Sequence, residues 1–328
     1  MAADHSYTLT SMGVDCSSSL IDSLGNIWRG GLSDGKIYKY PVGGPWAENY
    51  DYSGTGYGDI QLFFEDSTGN LYFSRAGGNQ LMRSVDGGLN WANCKNASNM
   101  VANKSSFWQM AEDAGGNVYA GEYSHGDGTE LQGYIYKTVD NGANWTTIWN
   151  NPDNARHSHM VAVDPVTDRL YVSLGDLAAP SKFAYSDNQG GAWATIASGA
   201  TLYKYLSVVF GSGYRVLGTD DTTGRMFVTY DDANLNQIYK AANNYDQNQW
   251  YWIRQSGDIC VAGGQSEGAS IDMAVVLLSY DGGYSWQVID QQVKSGTSWG
   301  FWRCSNFSGD TLYYADKIGT DMIKLVVT

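Results

Sequence analysis

Basic residues are few in this chain: 20 lysines and arginines stand against 34 aspartates and glutamates, a formal charge of −14. That balance argues against a general nucleic-acid or anionic-membrane surface, although a few cations can still line one pocket. Proline is scarcer still, with 5 in 328 residues, and cysteine and histidine number 4 each. Cys16, Cys94, Cys260 and Cys304 show no CxxC spacing, which argues against a zinc site, and a Cys260–Cys304 pairing stays open. No apolar run approaches the roughly 18 residues that a membrane-spanning helix needs. The opening Met-Ala-Ala-Asp-His-Ser has neither a charged nor an apolar signal region, which fits a cytosolic protein or one whose signal has been removed.

What the chain has in quantity is glycine and aromatic side chains, with 40 Gly, 24 Tyr and 12 Trp. That mixture predicts many short strands, tight turns and aromatic packing. One octapeptide recurs. Residues 84–91 read Ser-Val-Asp-Gly-Gly-Leu-Asn-Trp, 138–145 Thr-Val-Asp-Asn-Gly-Ala-Asn-Trp and 279–286 Ser-Tyr-Asp-Gly-Gly-Tyr-Ser-Trp; 186–193 is a degenerate copy with Asn188 for Asp. The chemistry suits a hairpin turn, in which Asp accepts from backbone N–H groups, Gly takes a positive φ and Trp packs over the turn. The pattern resembles the Asp-box of sialidase-type β-propellers, where it joins the third and fourth strands of a blade.

A second repeat underlies the first. Paired apolar runs meet at turns on Gly25, Gly69, Gly116, Asp168, Gly213, Gly257 and Gly309, spaced 44 to 52 residues apart. A period in the forties built of short strands predicts an all-β, seven-bladed propeller of four-stranded antiparallel blades in a single domain, 1–328. The blades fall at 14–46, 51–95, 105–150, 156–198, 203–242, 250–291 and 298–328. The N-terminal 7–10 completes the last blade and removes the exposed edges.

In a propeller the inner hairpin of each blade starts and ends on the same face, so these positions share one mouth. That rule collects Arg29, Arg75, Glu122, Tyr123, His125, Asp176, Asp220, Asp221 and Glu267 from second-strand ends. From first-strand starts it collects His157, His159, Tyr203, Lys204 and Trp299. Three of the four histidines lie here, His5 being the exception, and alternation along a strand points His157 and His159 to one face. A single histidine at a strand start is commonly a hydrogen-bonded structural residue, whereas three converging on one mouth point to chemistry. His-x-His also suits a metal, but no complete ligand spacing is visible, so neither metal nor cofactor is assigned. A structural calcium at Asp220-Asp221 competes with a simple turn cap.

Three further segments carry a resemblance: Gly121-Glu-Tyr123, the 156–165 stretch Arg-His-Ser-His-Met-Val-Ala-Val-Asp-Pro with Gly175-Asp176, and Gly218-Thr-Asp-Asp221. Together, over 115–225, they resemble single-domain propellers akin to the ulvan and rhamnose–glucuronate polysaccharide lyases. The resemblance implies β-elimination on a uronate-containing glycan, with His157 or His159 as base and Tyr123 or His125 as acid. Lys204 stands where the related pattern favours Arg and lacks the bidentate fork for a carboxylate. Arg29, Arg75, Glu122, Tyr203, Asp176, Asp220, Glu267 and Trp299 would then bind substrate. A sialidase fits less well, because 28–31 reads Trp-Arg-Gly-Gly in place of the usual Arg-Ile-Pro and a third mouth arginine is missing.

The reading of a different class is a non-catalytic propeller that binds a glycan or a protein as a scaffold or surface module, since fold alone does not imply function. Either way the expected partner is an anionic glycan or a protein, without nucleic acid or membrane insertion. The chain is expected to act as a monomer, outside the cell or on a cell or virion surface.

Overall fold

The inner turns decide the architecture, because each reverses the chain through a left-handed residue. All seven turn positions have positive φ, from 57° at Gly309 to 84° at Gly69, with Asp168 at 61° the one non-glycine. In the computed structural model, which describes residues 5–55, 58–98, 105–124, 131–176, 181–199, 204–221, 224–240, 248–266, 272–294, 304–316 and 321–328, these turns join the inner two strands of antiparallel sheets. Six sheets have four strands in chain order, and the seventh runs N-terminal strand, last strand, penultimate strand. A bridge from Cys304 to Tyr314 continues the seventh sheet inward. The protein is a seven-bladed β-propeller. Its N-terminal strand Tyr7–Ser11 pairs antiparallel with Met322–Val327, in register from Tyr7 opposite Val327 to Ser11 opposite Ile323.

The contacts fall into two compact units, residues 49–206 and residues 1–48 with 207–328. In the first, blades 2, 3 and 4 pack face to face. Leu62, Tyr72 and Leu81 meet Phe107, Val118, Ala120 and Tyr136, while Tyr119, Ile135 and Trp149 meet Val161, Leu170, Val172 and Ala184. In the second, Val216, Met226 and Val228 of blade 5 pack on Trp250, Ile253, Val275 and Leu277 of blade 6. Blade 7 contributes Tyr313, Ala315 and Met322 to a cluster with Cys16, Ile21 and Ile27. All four cysteines are free, so the Cys260–Cys304 pairing does not occur. No helix is long and apolar enough to cross a membrane among the described residues.

Carboxylates hold the turns. Asp22, Asp66 and Asp113 each accept from the backbone N–H and the side-chain amide of the asparagine four residues on. Each also accepts from the aromatic side chain six residues on, namely Trp28, Tyr72 and Tyr119. One buried carboxylate thus satisfies three donors and closes the hairpin. The recurring octapeptides join third and fourth strands. Asp86 accepts from Asn90 N–H and Asn90 Nδ2, while the Ser84 hydroxyl accepts from Gly88 N–H. Thr138 and Asp140 repeat this geometry with Gly142 and Asn144. Blade 4 does so with Asn188, whose Oδ1 accepts from Ala192 N–H.

The hydrogen bonds from the Asn90 side chain and backbone hold Asp86 down to about 2, and those from Asn144 hold Asp140 at about 2. A carboxylate with a depressed folded pKa contributes stability above its unfolded value near 4, lost as pH falls toward the folded one. Melting temperature should therefore fall between about pH 4 and pH 2. The double substitution Asp86→Asn and Asp140→Asn should flatten that fall without breaking the turns, since Asn188 already builds the same turn. A pH series of thermal melts on both proteins checks it, and equal slopes would count against the assignment.

Candidate functional site

Blade 4 is made of His157–Val163, Leu170–Gly175, Lys182–Ser186 and Ala194–Ser198. Its inner pair is registered with His157 opposite Gly175 and Ser158 opposite Leu174, and the next pair is Met160 opposite Ser173. His159 is thus the extra residue of a β-bulge, a device that re-aims a side chain. Blades 2, 3 and 6 carry the same irregularity, at Gln61, Trp108 and Tyr251. Strict alternation therefore does not hold at His159, yet the two imidazole centroids lie 4.7 Å apart.

Asp176, one residue past the end of the second strand, receives both rings. His157 Nε2 is 3.1 Å from its Oδ2, and His159 Nε2 is 3.1 Å from its Oδ1. Arg156 Nη1 donates to Oδ2 at 2.9 Å, and Lys204 Nζ lies 3.7 Å from Oδ1. The backbone of Asp176 is left-handed, with φ 73°, a conformation that aspartate tolerates better than most residues. On its other side His157 Nδ1 lies 3.2 Å from the carbonyl oxygen of Ser124, and the Tyr123 ring stacks on it at 3.9 Å. Trp108 closes the wall, its ring edge-on to Tyr123 and to both histidines.

Exposure divides the group. The histidine side chains are 0% and 1% exposed, whereas those of Asp176 and Arg156 reach 26% and 25%. Burial, reinforced by the His159 and Arg156 charges and opposed by the Asp176 carboxylate, pushes His157 down to about 4. For Asp176, burial acts to raise the pKa, but the two imidazoles against its oxygens outweigh it and hold the carboxyl far below its ordinary range.

The structure separates the other expected residues from this cluster. Glu122 is buried and accepts from Ser98 N–H, the Ser98 and Ser105 hydroxyls and Tyr136 Oη. Gly121 is there for space: an added Cβ would sit 2.5 Å from Ser158 Oγ and 2.8 Å from Val161 Cγ2. Arg29 is buried, paired with Asp15 and stacked on Tyr38 at 4.0 Å. Arg75 is buried and lies 4.7 Å over the Tyr52 ring. Asp221 pairs with Arg225 at 2.7 Å, and Asp220 accepts from Gln249 Nε2. Each of these is engaged within its own neighbourhood, apart from the His157–His159–Asp176 cluster. His125, Tyr203, Glu267 and Trp299 lie outside the described residues. Arg156 and Trp108 were missed. Adjacency to His157 was the signal for Arg156, whereas nothing in the sequence distinguishes Trp108 from the other core tryptophans.

No family model and no curated protein matches the chain. Solved structures similar to it include virginiamycin B lyase from Staphylococcus aureus, 12% identical at TM-score 0.70 over 98% of this chain and 99% of that one. YCF48 bound to D1 peptide is 14% identical at TM-score 0.60, covering 98% and 96%. A chain of the nidogen/laminin complex is 12% identical at TM-score 0.51, covering 87% and 93%. At these identities the likeness shows the fold alone. The resemblance to Asp-box sialidases and to the ulvan-type lyases is corrected by these neighbours, which belong to neither group; the local turn chemistry that suggested it serves the fold.

Gly175 controls the cluster sterically. A Cβ there would stand 2.9 Å from Lys204 Cδ and 3.0 Å from His159 Cε1. Gly175→Ala should displace the His159 imidazole and lower stability by about 1–3 kcal/mol. Thermal melts and the imidazole resonance of His159 check both parts. Wild-type values for the pair would show that this position needs no glycine.

Proposed function

We propose that the chain is a non-catalytic binding propeller that takes an acidic protein segment at the mouth of blade 4. The sealing of both histidines carries this reading. A general base must bring its nitrogen within hydrogen-bond reach of the substrate, whereas both Nε2 atoms here lie against Asp176 beneath the surface. What reaches solvent is one carboxylate flanked by two cations, Arg156 and Lys204. In a chain of net charge −14, two cations side by side form a local attraction for an anionic group. Partly exposed Tyr123 supplies an aromatic edge beside them. Protein ligands are in keeping with the fold, since YCF48 has been solved with D1 peptide and a similar chain occurs in the nidogen/laminin complex. The finer reading as a polysaccharide lyase requires an imidazole open to a uronate, which this packing opposes.

Fluorescence anisotropy with labelled oligo-glutamate and carboxylate-terminated peptides tests the proposal. Arg156→Gln and Lys204→Gln should each weaken binding about 10- to 100-fold, the scale of a lost charge-assisted contact of about 1.5–3 kcal/mol. A parallel arm follows absorbance near 235 nm with uronate polysaccharides. A rise there that disappears in His159→Ala would establish a lyase and overturn the binding reading, as would peptide affinity unchanged by both substitutions.

A further inference from the structure

We infer that His157, His159 and Asp176 form a site for one divalent transition-metal ion of the imidazole-preferring class, such as zinc. One ligand atom from each residue lies within 4.8 Å of the others. The Nε2-to-oxygen separations are both 3.1 Å. Two donors each about 2.1 Å from a common ion lie about 3.0 Å apart at a right angle and about 3.4 Å apart at the tetrahedral angle zinc prefers, and 3.1 Å falls between the two. Two imidazoles and one carboxylate favour borderline ions over calcium or magnesium, which take oxygen ligands.

The tautomer of His157 is the second, independent observation. Its Nδ1 faces the carbonyl oxygen of Ser124, an acceptor, so the proton of the neutral ring belongs on Nδ1. Nε2 then presents a lone pair. That nitrogen is fully buried and faces a carboxylate oxygen 3.1 Å away. An imidazole nitrogen and a carboxylate oxygen facing each other at that distance need a proton or a metal ion between them, and the two compete for this position. A ring that donates Nδ1–H to a backbone carbonyl and offers Nε2 is the arrangement metal-binding histidines commonly use.

The site is also built in advance. The bulge aims His159, the missing side chain of Gly175 makes room for its ring, and the left-handed backbone of Asp176 turns the carboxylate onto both imidazoles. A carboxylate has four lone-pair positions, enough for the ion as well as Arg156. Three protein ligands leave coordination positions open, and with Arg156 and Lys204 beside them those positions suit an anionic oxygen. This inference goes beyond the binding reading and does not depend on it.

The test uses the full chain stripped with chelator and no other ligand. Titration with cobalt(II), followed by visible absorbance, and with zinc(II), followed by calorimetry, should each show one saturable equivalent. His159→Ala and Asp176→Asn should weaken that equivalent at least about 100-fold, at the upper end of what losing even a supporting group costs a metal site. His5→Ala should keep it. Lys204→Met should tighten it several-fold, because a positive charge near the carboxylate is removed; a merely structural role for the cluster would not produce this gain. Asparagine tolerates the left-handed backbone, so Asp176→Asn keeps the turn while losing its ion pairs, and zinc should raise the melting temperature of the wild type but not of this variant. Absence of a saturable equivalent, binding retained in both ligand variants, or response to calcium in place of zinc would each overturn the inference.

Discussion

The pairing of His157 with Gly175 across the inner hairpin of blade 4 is the constraint on which the site depends. Hydrogen bonding fixes that register, and the register places the first residue after the strand, Asp176, beside the rings that start it. The bulge at His159 then brings the second imidazole round to the same carboxylate. A slip of one residue would send every side chain of the strand to the other face and scatter the cluster. The surrounding glycines serve the same end. Gly121 lets blade 3 approach Ser158 and Val161, and Gly175 leaves room for His159 and the Lys204 stem.

An acidic chain must decide what to do with its carboxylates, and here the answer is repetitive. Asp22, Asp66 and Asp113 close inner hairpins by collecting an asparagine and an aromatic partner. Asp86, Asp140 and Asp281 close outer ones by accepting from backbone N–H groups four residues on. Glu122 is consumed by Ser98, Ser105 and Tyr136. Asp176 differs in kind, because its neighbours are imidazoles and cations in place of amides and hydroxyls. That contrast sets Asp176 apart from the turn-closing carboxylates more sharply than exposure does.

Much of the fold was legible from spacing alone. Gly25, Gly69, Gly116, Asp168, Gly213, Gly257 and Gly309 all proved left-handed, and the N-terminal strand closes on the last one. The site was legible only in part. His157, His159, Asp176 and Lys204 meet as the hairpin geometry implied, while Arg29, Arg75 and Asp220 are drawn into local pairs. Strand ends can be predicted to share a mouth, but a cation next to a closer acceptor turns to it, and the pattern of residues does not rank such contacts.

The sequence by itself determined the period, the turns and the number of blades, because left-handed turns and alternating apolar runs are local properties of a few adjacent residues. Only the tertiary structure decided that His159 sits on a bulge and that both imidazoles are sealed. Those outcomes depend on interstrand register and on the packing of blade 3 against blade 4. Both are long-range balances of hydrogen bonding and volume that no single stretch of chain encodes.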